Sequence, residues 1–213
     1  MKYQYYMFYK PFGCVTAARD DRYPVVMEYF KELKNPSLSP VGRLDLETEG
    51  LLIVTDDGKW NQRMIHPSYK KEKRYEFIAM GSLSEEKIQQ LETGVKLIGA
   101  REATSPAKVE VLSTTVLAEM LPKMHPEIQR KFRYNRPDHP IVVGRIVITE
   151  GKKRQIRRML KAVGCCVIGL KRLSIDGIYL DENLQPGQWR ALTEKEIAGI
   201  LCKQDSLADT LDL

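Results

Sequence analysis

The chain has 213 residues, 43% of them hydrophobic and 29% charged, with 14 Gly and 11 Pro, which suits one large or two small globular domains and excludes disordered, collagen-like and coiled-coil chains. Lys plus Arg number 34 against 28 Asp plus Glu, a net charge of +6, yet the stretch from Lys152 to Arg172 carries eight basic residues and no acidic one, the footprint of a polyanion site on a nearly neutral body. No segment approaches the ~20 apolar residues of a membrane helix and the start has no signal-peptide pattern, so a cytoplasmic protein without a membrane partner is expected.

In chain order, Tyr3 to Tyr9 is aromatic-rich and reads as a strand, ended by the turn Lys10-Pro11-Phe12-Gly13. Pro24 to Leu33 reads as a helix with Pro24 in its first turn and Val25, Val26, Tyr29, Phe30 and Leu33 on one face. Gly50 to Thr55 is a short apolar run suited to a central strand, followed by the turn Asp56-Asp57-Gly58 and a short helix from Lys59 to Ile65 that His66-Pro67 ends. Lys73 to Ala79 alternates as a strand does, and Ser84 to Glu92 reads as a helix, with Glu85 and Glu86 near its N-terminus and Gly94 past its end. Further strands are expected at Ala107 to Leu112, around Val116 to Met120, and at Ile141 to Thr149. Lys123 to Pro140 reads as a long Pro-rich loop, and Arg130, Lys131, Phe132, Arg133, Tyr134 and Arg136 within it join cations to rings, a combination suited to single-stranded nucleic acid.

The basic stretch opens with a helix from about Lys152 to Val163, closed by Gly164, in which Ile156, Met159, Leu160 and Val163 form the apolar stripe. Arg154, Arg158 and Lys161 take the opposite face, while Arg157 lies at the boundary with the core, where a guanidinium needs a carboxylate or an anionic ligand. A strand through Val167 and Leu170 follows, then a helix opened by Thr193 with Glu196 completing a capping box, and a frayed tail from Lys203 to Leu213. Strands and helices alternate irregularly, so the fold class is α/β of the α+β type, a mixed, largely antiparallel central sheet flanked by helices. No Gly-x-Gly-x-x-Gly or Walker pattern supports a nucleotide cofactor. Cys14, Cys165, Cys166 and Cys202 fit neither a disulfide framework nor a CxxC knuckle, and His66, His125 and His139 share no i, i+4 spacing, so no metal is expected.

The segment Pro40-Val41-Gly42-Arg43-Leu44-Asp45-Leu46-Glu47-Thr48-Glu49-Gly50-Leu51-Leu52 sets an Arg and an Asp around one apolar residue in a turn leading to a buried strand. Alone it reads equally well as a salt-bridged turn. It resembles the catalytic loop of pseudouridine synthases of the RsuA/RluB/RluE type, which modify ribosomal RNA. Further blocks are similar in the same order: Tyr9-Lys10-Pro11-Phe12-Gly13, Thr55-Asp56-Asp57-Gly58, Lys73-Arg74-Tyr75, Glu150-Gly151-Lys152-Lys153-Arg154-Gln155-Ile156-Arg157-Arg158-Met159, and Pro186-Gly187-Gln188-Trp189-Arg190-Ala191-Leu192-Thr193. The resemblance runs from about Tyr9 to about Ile200 and implies the pseudouridine synthase fold, a catalytic domain over 1–202, ribosomal RNA or a pre-ribosomal particle as partner, and no cofactor. Such proteins commonly begin with a small S4-type RNA-binding domain. The Lys-Pro motif here starts by Tyr9 and leaves no room for one, so targeting is expected from the catalytic domain or a partner.

The resemblance assigns catalysis to Asp45, Tyr75 and Arg157. Making pseudouridine means breaking the N1–C1′ bond, turning the bound base and joining C5 to C1′, without a redox step or group donor. A carboxylate can attack C1′, take a proton from C2′, or stabilise positive charge at the sugar, and the sequence leaves the three routes open. A carboxylate in a dry pocket needs a fixed cation to stay charged, the role matched to Arg157. The target base must leave its stack, at a cost of a few kcal/mol, and Tyr75 is matched to the ring that replaces the lost stacking. Arg43 is expected to fill the gap left by the base or grip a phosphate, and Lys73, Lys152, Lys153, Arg154 and Arg158 to meet RNA. The competing reading is a non-catalytic RNA-binding or ribosome-assembly protein; retention of Asp45, Tyr75 and Arg157 favours the enzyme. Another polyanion such as DNA would explain the basic stretch but not the Gly-Arg-Leu-Asp loop, and nothing demands more than a monomer.

Overall fold

The computed structural model describes residues 3–17 and 19–199, and Cys202 and the tail expected from Lys203 onward lie outside them. Strand β1 (Tyr5–Lys10) is followed by a 3₁₀ helix (Val26–Leu33), β2 (Ser39–Pro40), β3 (Glu49–Thr55), α1 (Gly58–Ile65), β4 (Lys73–Met80) and α2 (Glu85–Thr93). Then come β5 (Lys108–Val116), α3 (Leu117–Met120), α4 (Pro126–Phe132), β6 (Pro140–Ile148), α5 (Gln155–Ala162), β7 (Cys166–Ile175), β8 (Ile178–Tyr179) and β9 (Trp189–Ala191). Residues 194–199 are helical. The described residues sort into two compact units, one falling within residues 1–72 and 172–213, the other within residues 73–171.

In the first unit β1 pairs antiparallel with β3, from Tyr5↔Thr55 to Lys10↔Gly50, and with β9, from Tyr6↔Ala191 to Phe8↔Trp189. β1 is buried on both faces, which is why it lacks an apolar-polar alternation. One face joins Tyr5 and Met7 to Leu51, Ile53, Trp60, Met64, Ile175 and Ile178. On the other face Tyr6 and Phe8 meet Phe30 of the 3₁₀ helix, with ring centroids 5.9 and 5.5 Å apart, and Phe30 stacks on Trp189 at 5.4 Å. The helix expected from Pro24 to Leu33 begins only at Val26 and as a 3₁₀ helix, because Val25 is extended, bridged to Val15, and offers no capping side chain. Helix α1 follows its prediction. Asp57 Oδ1 accepts from the Trp60 N–H at 3.0 Å, and Asp57 Oδ2 accepts from the Tyr5 hydroxyl at 2.7 Å. β7 and β8 form a hairpin around Asp176-Gly177, whose φ values of +50° and +88° are those of a two-residue Asp-Gly turn.

In the second unit β6 is central, pairing antiparallel with β4 from Lys73↔Ile148 to Met80↔Ile141 and with β5 from Lys108↔Val147 to Val116↔Pro140. Two expectations are corrected here. The strands expected at Ala107 to Leu112 and around Val116 to Met120 are one strand, β5, which pairs with β6 up to Val116, and Leu117–Met120 is helical. The segment expected as a loop from Lys123 to Pro140 contains α4, opened by His125 Nδ1 accepting from the Glu127 N–H at 3.2 Å and by Pro126 in the first turn. Met124 beside Gly169 and Ile78, together with the buried Leu117 and Ile128, seats this excursion on the sheet.

Candidate active site

The Arg43-Leu44-Asp45 loop is held by its main chain from both sides. The Thr16 hydroxyl donates to Leu44 O at 3.1 Å, the Gly13 N–H donates to Leu46 O at 3.0 Å, and the Thr48 N–H returns to Asp45 O at 3.0 Å, closing a turn. Before the loop, the Val41 N–H donates to Ile53 O at 2.8 Å and Gly42 takes a φ of +69°. Asp45 is half-buried at the tip and Arg43 is exposed.

The Lys-Pro motif supplies the base of the loop. Lys10 is fully buried, and its Nζ donates to Thr48 O at 2.7 Å and Pro11 O at 3.0 Å. Burial pushes its pKa down to about 8; Cys14, Glu49 and Asp45 oppose that shift and Arg172 reinforces it. Thr48, 2% exposed, and Arg172, also 2% exposed, complete this interior. Neither Lys10 nor Arg172 is marked by its sequence as buried, since both residue types normally lie at the surface.

In the second unit Tyr75 lies in β4 opposite Ile146, 7% exposed, and Lys73 is half-buried at the start of the same strand. Arg157 is half-buried on α5 and its Nη1 donates to Val167 O at 3.0 Å. The helix is shorter than the expected Lys152 to Val163 and starts at Gln155. The reason is local: Gln155 is buried, its Nε2 donates to Glu150 Oε1 at 2.5 Å, and its Oε1 accepts from the Lys152 N–H at 2.9 Å. That tight return places Arg154 at a φ of +51°, outside the helix. Among the residues expected to meet RNA, Lys152, Lys153 and Arg154 are exposed. Lys152 Nζ also pairs with Glu150 Oε2 at 3.1 Å, and Arg158 Nη2 donates to Ile98 O at 2.7 Å. The apolar stripe is as expected, with Ile156, Met159, Leu160 and Val163 buried.

Asp45 and Arg43 thus belong to one unit, and Tyr75, Arg157 and the α5 cations to the other. Among the described residues, no group of three or more His, Cys, Asp or Glu side chains is arranged to hold a metal ion, and no helix is long and apolar enough to cross a membrane.

A sequence model of the family described as RNA pseudouridylate synthase matches residues 4–162. The chain belongs to that family. Ribosomal small subunit pseudouridine synthase A of Vibrio cholerae is 36% identical over 197 residues, 92% of this chain and 74% of the relative. The Escherichia coli K12 protein of the same name is 33% identical over 198 residues, 93% of this chain and 74% of its own length. Among solved structures, a crystallised pseudouridylate synthase superposes with a TM-score of 0.75 at 33% identity, over 93% of this chain and 74% of that one. The fold is therefore the pseudouridine synthase fold, and the matched span of this synthase contains Asp45, Tyr75 and Arg157. The motif residues whose purpose sequence reasoning missed are Lys10, Glu150 and Gln155, which here hold backbone in place.

Proposed function

We propose that the protein isomerises a uridine of small-subunit ribosomal RNA to pseudouridine, with Asp45 as the catalytic carboxylate. The observation that carries this reading is the Asp45 loop, tied by Gly13, Thr16 and its own turn so that a half-buried carboxylate is presented on a fixed main chain. Chemistry at C1′ or C2′ requires such a placed group, because a nucleophile or base works only when held close to the reacting atom. The small-subunit substrate is supported by the names of the two bacterial relatives. Tyr75 replaces the stacking lost when the uridine leaves its helix, Arg157 is the counter-cation of the carboxylate, and Arg43 meets the displaced strand. Lys153 and Arg154 contact phosphates, and the cations and rings of the α4 excursion help to select the RNA.

The test compares pseudouridines in ribosomal RNA from cells with and without this gene. One small-subunit pseudouridine should vanish in the deletion, return with the wild-type gene and stay absent with Asp45→Asn. Purified Asp45→Asn should keep RNA affinity within a few-fold, because most affinity comes from phosphate contacts. Turnover by that variant, with deamidation excluded, overturns the catalytic assignment.

A further inference from the structure

Lys10, fully buried, and Arg172, 2% exposed, lie in the same unit as the Asp45 loop and grip one short segment of main chain. Lys10 Nζ donates to Thr48 O and Arg172 Nε to Leu51 O, each at 2.7 Å. Between these carbonyls Gly50 takes a φ of +100°, and a Cβ there would sit 2.3 Å from Arg172 O, so the segment and the β7 backbone pack with no side chain between them. The Thr48 N–H closes the turn back to Asp45 O. Asp45 is therefore one turn away from a carbonyl fixed by Lys10, and the strand that follows is fixed by Arg172.

Hydrogen bonding alone does not account for charged residues in these places. Neutral donors would satisfy two carbonyls without taking two like charges out of water. Nor is Arg172 fully satisfied: its Nη2 and the Thr48 hydroxyl are both buried without a hydrogen-bond partner among the described residues. What the cations add is positive charge close to the loop. The groups that act on Lys10 are the Cys14 thiol, the carboxylates of Glu49 and Asp45, and the Arg172 guanidinium.

We propose that Lys10 and Arg172 form a buried cationic seat for the Asp45 loop, in which Arg172 is a positioning residue acting through Lys10 and the Thr48–Leu51 segment. The inference rests on Asp45 being the carboxylate that meets the substrate. Positioning matters because a misplacement of about 1 Å costs on the order of a hundredfold in rate.

The experiment follows pseudouridine formation by wild type, Arg172→Met and Arg172→Lys on an RNA fragment carrying the mapped uridine, across pH. Arg172→Met should lose about tenfold or more in kcat with KM within about threefold, and Arg172→Lys should recover most of the loss. Wild-type kcat should fall above about pH 8, where Lys10 gives up its proton, and Arg172→Met should move that fall to higher pH by removing the opposing cation. A role confined to stability would lower the folded fraction and leave the pH profile in place. If Arg172→Met does not fold, Arg172→Lys and the wild-type profile decide, and a wild-type kcat flat across about pH 8 overturns the proposal. An active wild type with unchanged kcat and profile in Arg172→Met rejects the seat alone. A wild type that forms no pseudouridine rejects the functional reading and the seat with it.

Discussion

At neutral pH the folded chain carries a charge that its interior disfavours, because burial takes the Lys10 ammonium from an ordinary 10.5 to about 8. Below about pH 8 both folded and unfolded chains bind that proton, and the folded state bears a penalty of about 3 kcal/mol relative to a lysine with an ordinary value. Between about 8 and 10.5 the folded chain releases the proton while the unfolded chain keeps it, so this group's contribution becomes more favourable as pH rises. In Lys10→Met that dependence disappears. Unfolding by denaturant at about pH 7 and about pH 10 should show the wild type gaining roughly 2 to 3 kcal/mol on the variant, and an equal difference at both pH values would show that Lys10 is not buried with its charge. Asp57 offers a simpler case, since one carboxylate caps α1 and accepts from the Tyr5 hydroxyl. Asp57→Ala should cost roughly 2 to 3 kcal/mol in urea unfolding, and a cost under about 0.5 kcal/mol would mean that neither bond matters. Sequence alone reads Asp57 only as part of the turn before the helix, although an acid before a short helix is a capping signal. It does not show that Arg172, counted as part of a basic stretch, faces inward.

Helices and strands with strong local signals are legible: β1, β3, β4, α1 and α2 are where alternation, apolar runs and caps put them. Elements set by long-range partners are not. β5 continues to Val116 because β6 supplies its partners, and no residue between Leu112 and Val116 announces this. α4 had a signal, His125 followed by Pro126 and Glu127, hidden among prolines that suggested a loop. α5 is shortened by the buried Gln155 and its bond to Glu150, which helical periodicity cannot reveal. This alters which cations are offered to RNA. Lys152, Lys153 and Arg154 precede the helix and are exposed, Lys152 being also paired with Glu150, whereas Arg158 is half-buried and donates to Ile98 O. Reversing Lys153 and Arg154 to Glu should weaken RNA binding and lower the slope of log affinity against log salt by about two, with melting unchanged. An unchanged slope would remove these residues from the interface.

For the whole molecule, composition and charge excluded the wrong classes, and the ordered motif blocks named the family that the similarities to a family model, to relatives and to a solved structure bear out. The division into two units has no signal in composition, because the chain leaves the first unit after Glu72 and returns to it at Arg172, inside β7. The return is secured within the first unit, where Lys71 Nζ meets Asp176 Oδ2 at 2.7 Å and the Asp176 N–H donates to Glu72 O at 2.8 Å.

That interrupted path sets an order of events on the ribosome. The second unit is one continuous stretch whose sequence is complete once Lys171 has cleared the exit tunnel, whereas β1 waits for β9 at Trp189–Ala191 and Leu51 waits for Arg172. The Asp45 loop, made in the first quarter of translation, thus gains its full set of anchors among the last segments to emerge. Protease digestion of stalled nascent chains should find residues 73–171 protected before residues 3–17 and 49–65, and the opposite order would show that the first segment folds without its late partners.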